Sequence, residues 1–423
     1  MCAIAYRGKY DVDIGLEAGV IFQQREQGRR SLLNAIRRMG PVARIDLANE
    51  TQISRATVTT ITAELLRDGL IEEIQRDTSD LSSKGLGRGR PRVDLQIRGG
   101  AHLVAGIKIG NMALSLVLLD FAGTVLAELE VALGQAVFEA DDLALSLKQA
   151  LDALAEKADT TTERISGVGI GIAGIVDATR GFVYWSPSLI ERNVEFRDAV
   201  VRRVGKPVFL DNDANLVAVA EQAFGLGRNV SDFIVVTIES GVGMGIVIGN
   251  ELYRGTRGCG AEFGHTKVQL DGALCRCGQR GCLEAYVADY ALLREASILA
   301  GHDSSDQQEG KVEKLLKAAR EGDPTAKSIV GRAGRMFAMG LANLVNIFDP
   351  QLIILSGERM QFDHLYAEDV LEGIRASIVQ IDKAPPEVVI HNWGSLMWAK
   401  GAAAFALSGV ADRALKDMGD NAA

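Results

Sequence analysis

Cysteine is scarce in this chain: five in 423 residues, three of them (Cys275, Cys277 and Cys282) in one short run. A disulfide framework of the kind that staples small secreted domains is thereby excluded, and a reducing cytoplasm suits these thiols better. Long apolar runs are missing too. None approaches the roughly 20 residues that a membrane-spanning helix requires. The opening segment, Met1–Asp11 with further acids behind it, has no continuous apolar core and does not read as a signal peptide. Aromatic side chains are few, at 5%, yet the 47% hydrophobic and 24% charged content is that of a soluble globular protein. The expected location is cytoplasmic.

At 423 residues the chain exceeds one ordinary core, so two or three domains are expected. The net charge of -9 is unevenly spread. Residues 1–100 carry 16 Lys and Arg against 13 Asp and Glu, a balance of +3; the remainder carries 30 against 42, a balance of -12. A mildly basic head on an acidic body places any nucleic-acid contact in the head.

The densest chemistry lies between Glu262 and Glu284. His265 precedes Cys275, Cys277 and Cys282, which follow a Cys-x-Cys-x4-Cys spacing. One imidazole and three thiolates are the four ligands of a closed tetrahedral zinc site. Gly272, Gly278 and Gly281 let the backbone fold tightly enough for them to meet. Packed reduced thiols or a redox pair are the alternatives. A structural Zn2+ is the expectation.

Residues 1–24 show no firm periodicity and read as an arm. Helical spacing begins at Arg29, with Leu32, Leu33, Ile36 and Met39 inward and Gly40-Pro41 as the stop. A second helix fits Arg44–Glu50, with Ile45, Leu47 and Ala48 inward. Ser54 then caps a third helix reaching about Asp68, buried through Val58, Ile61, Leu65 and Leu66. Three short helices with a tight turn between the last two form a helix-turn-helix. Ser54, Arg55, Thr57, Thr59 and Thr60 fall at the exposed start of the third helix, where small polar side chains reach base edges. An extended segment at Leu70-Ile71, a basic glycine-rich run from Lys84 to Arg92, and a strand through Val93, Leu95 and Ile97 complete a winged helix over residues 25–98. Arg88-Gly89-Arg90-Pro91 resembles an AT-hook core, which lays arginines in a narrow minor groove, so Arg88 and Arg90 join the expected DNA contacts. A small helical cap with a solvated linker is the bland alternative.

From residue 101 strands and helices alternate. Strands are expected at His102–Ile109, Leu114–Asp120, Val125–Leu133, Ile165–Ile172, Pro207–Leu210, Phe233–Glu239, Gly245–Ile248 and Leu352–Leu355. Helices are expected at Ala140–Lys157, Asp213–Phe224, Lys311–Glu321 and Pro324–Ile347, with a last one from about Gly394. That is an α/β body of two lobes, one spanning about 101–225 plus the C-terminal helix and the other about 230–393. Asp211-Asn212-Asp213-Ala214-Asn215 leaves a strand and opens a helix. A helix cap explains it, and so does a site for a polyol, whose hydroxyls both donate and accept.

Glu-Phe-Gly-His at Glu262–His265, followed by Cys-x-Cys-Gly-x-x-Gly-Cys-Leu-Glu, resembles the signature of the ROK family of bacterial sugar kinases and sugar-responsive repressors. The resemblance covers the chain from about Ala101 onward and implies an actin-like ATPase fold with a cleft between the lobes. Carried over, Asp213 is the counterpart of the kinase base, and Gly174, Asn212, Glu262, His265 and Glu284 are sugar contacts. Where relatives have Ser-Pro-Asn-Leu this chain has Ser186-Pro187-Ser188-Leu189, and Asn193 lies near the place of a missing Trp. The nucleotide side departs further. The kinase Asp-x-Gly-Gly-Thr reads Lys108-Ile109-Gly110-Asn111-Met112, and Gly-Thr-Gly-x-Gly reads Glu239-Ser240-Gly241-Val242-Gly243. A lysine cannot hold magnesium, and an acid facing a phosphate is unfavourable. The expected protein is thus a sugar-responsive regulator, without enzyme activity, acting on a double-stranded DNA operator as a homodimer or homotetramer. An active sugar kinase is the rival reading, and a DNA-bound protein with a vestigial cleft is a third.

Overall fold

The computed structural model describes residues 11–75, 93–300, 310–357, 368–379, 384–391, 394 and 396–420. Its first helix, α1, runs Asp11–Met39, so the stretch expected as an arm is helical from Asp11 onward. Helices α2 (Arg44–Thr51) and α3 (Arg55–Arg67) follow. Gln52 makes the turn between them in the left-handed region, at φ 57°, and Ser54 accepts the Thr57 N–H at 3.2 Å to cap α3. Leu32, Leu33, Ile36, Leu47, Val58, Ile61 and Leu65 close the core of the three helices. Glu64 on α3 is clamped to α1 by Arg25 and by Arg29, whose Nε donates at 2.9 Å. Met39 and Ile45, expected inward, are instead 41% and 43% exposed: Met39 is the last residue of α1, and on α2 Leu47 and Ala48 already fill the short inward face. Strands β1 (Ile71–Gln75) and β2 (Val93–Ile97) pair antiparallel, Ile71 opposite Ile97, as the ribbon of a winged helix. Arg88 and Arg90 lie outside the described residues.

The first lobe contains β3 (Leu103–Ile109), β4 (Ala113–Asp120), β5 (Val125–Ala132), α4 (Ala140–Lys157), β6 (Ile165–Ile172), β7 (Ile175–Asp177), β8 (Phe182–Trp185), α5 (Phe196–Val204), β9 (Val208–Asn212) and α6 (Asp213–Phe224). The second contains β10 (Phe233–Ile238), β11 (Val242–Ile248), β12 (Glu251–Tyr253), α7 (Glu284–Val287), α8 (Asp289–Ala300), α9 (Lys311–Glu321), α10 (Pro324–Phe348), β13 (Leu352–Ser356), α11 (Glu368–Ser377) and β14 (Glu387–Ile390). Helix α12 (Met397–Asp420) ends the described chain. Both sheets have one plan: order β5-β4-β3-β6-β9 in the first and β12-β11-β10-β13-β14 in the second. In each, three strands form an antiparallel meander and two more add in parallel. The β7–β8 hairpin, the helices α5, α8 and α11 and the short elements β12, α7 and β14 escaped the sequence reading; the hairpin, β12, α7 and β14 are too brief to establish a period.

Helix α12 packs on β3, β6 and α6. The approach is backbone to backbone. A Cβ on Gly106 of β3 would overlap the Ala399 carbonyl and the Ala403 nitrogen, and one on Gly169 of β6 would overlap the Ala402 carbonyl. Helix α12 also joins the head: Leu407, Val410, Leu415 and Met418 share one buried cluster with Leu32, Ile36 and Phe121, with Val410 lying against Gly167 of β6. Arg30 of α1 donates to Asp412 at 2.7 Å. Arg37, whose pKa burial lowers to about 10, lies 5.0 Å from the Phe121 ring centre. Head, first-lobe sheet and α12 therefore form one packed unit. Among the described residues no helix is long and apolar enough to cross a membrane.

Gly106→Ala should cost about 3 kcal/mol, the upper range of overpacking. Gly134→Ala, with nothing within 4 Å of the added carbon, should stay within about 0.5 kcal/mol of the parent. Chemical denaturation checks both, and equal midpoints would refute the tight seat of α12.

Candidate functional site

Residues of both lobes enclose a cavity of about 620 Å³. Gly174, Asn212, Asp213, Glu262, His265 and Glu284 all line it. These six sequence-selected positions, spread over more than a hundred residues, thus face one space. A second groove of about 740 Å³ runs between α9, α10 and α11, with no carboxylate or thiol among the described residues of its lining.

The junction of β9 and α6 supplies three of the polar groups, and they divide their labour. Asp211 is fully buried and structural: it accepts from Arg254 Nε at 2.8 Å and from Asn215 Nδ2 at 2.9 Å. Asn212 caps α6, its Oδ1 accepting from Ala214 N at 2.9 Å and Asn215 N at 3.4 Å, while its Nδ2 donates to the Gly174 carbonyl at 2.8 Å. The cap explanation thus holds for Asn212. Asp213 accepts on Oδ1 from the Ala214 N–H at 3.0 Å and lines the cavity. Burial pushes its pKa up, against the pull of Lys108 and of backbone N–H groups. Glu262 is raised as well, first by burial, with His265 opposing and Glu284 and Asp213 adding to the rise. Glu284 is aimed by the Val242 N–H, 3.3 Å from Oε2. Gly174 has φ +120°, and a Cβ there would lie 2.9 Å from Ser186 Cα and overlap the Trp185 carbonyl. Only glycine lets the Trp185–Pro187 wall close in.

Arg192, Thr237, Arg276 and Trp398 also line the cavity and carried no signal in the sequence. Trp398, at the start of α12, lies under Lys108: the ammonium is 3.6 Å from the ring centre. Lys108 Nζ is 3.7 Å from Glu239 Oε2, so the two altered loops meet.

His265, Cys275, Cys277 and Cys282 converge, their ligand atoms all within 4.8 Å of one another. Cys277 and Cys282 sulfurs are 3.7 Å apart, as are Cys275 Sγ and His265 Nδ1. That is too long for a disulfide at about 2.05 Å. It is close to the ~3.8 Å edge of a tetrahedron with ~2.3 Å metal–sulfur arms. Gly278 (φ +86°) and Gly281 (φ +76°) make the turns, and a side chain on Gly281 would overlap the Gln269 carbonyl. Lys267 donates to Cys282 Sγ at 3.0 Å. The donor set can hold a metal ion. With Nδ1 turned to the sulfurs, the other ring nitrogen of His265 is left for the cavity.

Two lobes on one repeated mixed-sheet plan, with a polar cleft between them, define an actin-like ATPase body, and a winged helix-turn-helix precedes it. Residues 104–408 match the sequence pattern of the ROK family, and the chain belongs to that family. It is 31% identical over 359 residues to a xylose repressor of Caldicellulosiruptor bescii, covering 82% of this chain and 87% of the relative. A glucokinase of Streptomyces coelicolor is 35% identical over 253 residues, 56% of this chain and 79% of the kinase. A solved ROK family transcriptional regulator, homologous to the Escherichia coli MLC protein, matches with a TM-score of 0.77 at 26% identity, over 93% of this chain and 98% of its own. The regulators extend over far more of the chain than the kinase does, as an added head produces.

Purified without chelator, the protein should carry one equivalent of metal per chain by elemental analysis. Cys277→Ser, which removes the exposed ligand, should drop that content by at least tenfold at matched free metal.

Proposed function

We propose that the protein is a cytoplasmic, sugar-responsive transcriptional repressor that binds a DNA operator as a homodimer or homotetramer and needs no phosphoryl transfer. The observation that carries this reading is the similarity to a xylose repressor and to a ROK family transcriptional regulator across head and body together. The exposure of Ser54, Arg55, Thr57, Thr59 and Thr60 at the start of α3 supports a major-groove contact. Arg88 and Arg90 are assigned to the minor groove on sequence alone. In the cleft, Asp213, Glu262, Glu284 and the free nitrogen of His265 suit the mixed donors and acceptors of a sugar, with Asn212 and Gly174 holding the wall. A zinc ion on His265, Cys275, Cys277 and Cys282 would stiffen the loop that carries Glu262 and Glu284. Lys108, Asn111, Met112 and Glu239 disfavour a magnesium–nucleotide complex by charge and bulk.

The kinase reading keeps one observation in its favour, the relative that is itself a glucokinase. ATP-dependent phosphorylation of a bound sugar separates the two. At millimolar ATP the protein should neither bind nucleotide nor phosphorylate D-glucose; turnover near one per second, ordinary for enzymes, would overturn the regulator-only reading.

Operator sites selected from random duplexes should be pseudo-palindromic. Replacing both Arg88 and Arg90 should lower the slope of log affinity against log salt by nearly one per arginine. D-Xylose, D-glucose and N-acetylglucosamine are the first sugars to screen for release. A hundredfold loss of operator affinity requires about 2.7 kcal/mol of differential sugar binding between the two states. Asp213→Ala should abolish that response and leave sugar-free operator affinity intact. A full response in the variant would remove Asp213 from the site.

A further inference from the structure

We propose that Lys108 is a positioning residue, the built-in cation of the cleft, which joins the lobes through Glu239 and supplies the countercharge against which Asp213 works as a hydroxyl acceptor. The inference rests on the reading of the cleft as a sugar site. It starts from where Lys108 lies. The residue stands on β3, between Ser115 of β4 and Gly171 of β6, and is only 7% exposed. A buried ammonium is costly unless it is paired. Three groups receive this one. The Trp398 ring lies 3.6 Å away, Glu239 of the second lobe is 3.7 Å away, and Asp213 feels its charge.

The position joins three bodies. Lys108 belongs to the first lobe, Glu239 follows β10 of the second, and Trp398 opens the helix whose far half packs on the DNA-reading head. The carboxylates that line the cavity are Asp213, Glu239, Glu262 and Glu284; Arg192, Arg276 and His265 are its other titratable or charged groups, apart from the Cys259 and Cys277 thiols, and Lys108 is buried outside this lining. Arg192 and Arg276 are exposed, so the deep cation beside Asp213 is Lys108. In phosphoryl transfer a metal ion neutralises the negative charge that the nucleotide phosphates bring. A fixed ammonium keeps a positive charge beside Asp213 without a metal.

The test compares the parent, Lys108→Met, Asp213→Asn and the double variant, first without ligand. Burial makes Asp213 hold its proton more tightly folded than unfolded, so its share of stability falls as pH rises through its folded pKa. Removing Lys108 deepens that fall. The Tm deficit of Lys108→Met should therefore grow between about pH 5 and about pH 8, and should not grow in the Asp213→Asn background. A deficit equal at both pH values, or undiminished by Asp213→Asn, would overturn the proposal. Should Lys108→Met fail to fold, recovery in the double variant supports it and failure of both alike overturns it. In a second arm, calorimetry with whichever of D-xylose, D-glucose or N-acetylglucosamine the parent binds should show Lys108→Met weaker by about tenfold, and more so at acid pH. Unchanged affinity counts against it. A parent that binds none of the sugars sinks the sugar-site reading, while the ligand-free arm still decides the role of the charge.

Discussion

Gly106 and Gly169 bring β3 and β6 into backbone contact with α12, with no room for even a methyl group between them. At interior packing densities such a seat admits little sliding, because any shift drives main chain into main chain. α12 therefore moves with the first-lobe sheet. The head joins it through the buried cluster that Leu407 and Leu415 share with Leu32 and Ile36, reinforced by the Arg30–Asp412 pair. The exposed Arg30–Asp412 pair contributes little by itself; the shared apolar cluster does most of the holding. In the proposed function, head and first lobe act as one lever, and the second lobe is the part that a ligand would bring closer.

Charge decides what the cleft can hold. Four carboxylates line it, and burial pushes Asp213 and Glu262 toward protonation, with Glu284 and Asp213 adding to the rise at Glu262. The backbone counters some of this, with N–H groups at Asp213 and Glu284. Lys108 counters more, from a buried position that surface screening does not reach. Asp211 and Arg254 settle their charges separately, in a pair that also ties β9 to the segment after β12 and so spans the two lobes. Polar groups that look alike in the sequence thus have different duties. Asp211 is consumed by structure, Asn212 caps and braces, and Asp213 faces the cavity.

The thiol knot solves a different problem, that of fixing two acids on a loop with little regular structure. His265 follows Glu262 within one short turn, and Cys282 precedes Glu284 at the start of α7. A metal on the four donors would hold both ends of that loop at once. Tyr290 of α8 closes it from below, its hydroxyl 3.3 Å from Glu284 Oε1 and 3.6 Å from Cys275 Sγ.

Much of the fold could be read from periodicity. Helices α4, α6 and α9 and strand β6 have the boundaries that their apolar spacing and caps indicate, since those signals are local. The convergence of His265 with the three cysteines was legible for the same reason: ligand spacing within one loop is a local constraint. The short elements β12 and α7 were not, because a few residues cannot establish a period against turn noise. Nor was the cap role of Asn212 separable from a ligand role until the Ala214 and Gly174 bonds were in place. The family resemblance put Lys108 and Glu239 on one nucleotide side, but Trp398 lies 290 positions beyond Lys108 along the chain, and no pattern in the amino-acid order marks it as their neighbour. Sequence alone determined which residues could form helices, strands and the thiol knot. Tertiary structure alone decided which charges face each other, because that depends on how two lobes and a helix close around a space no segment contains.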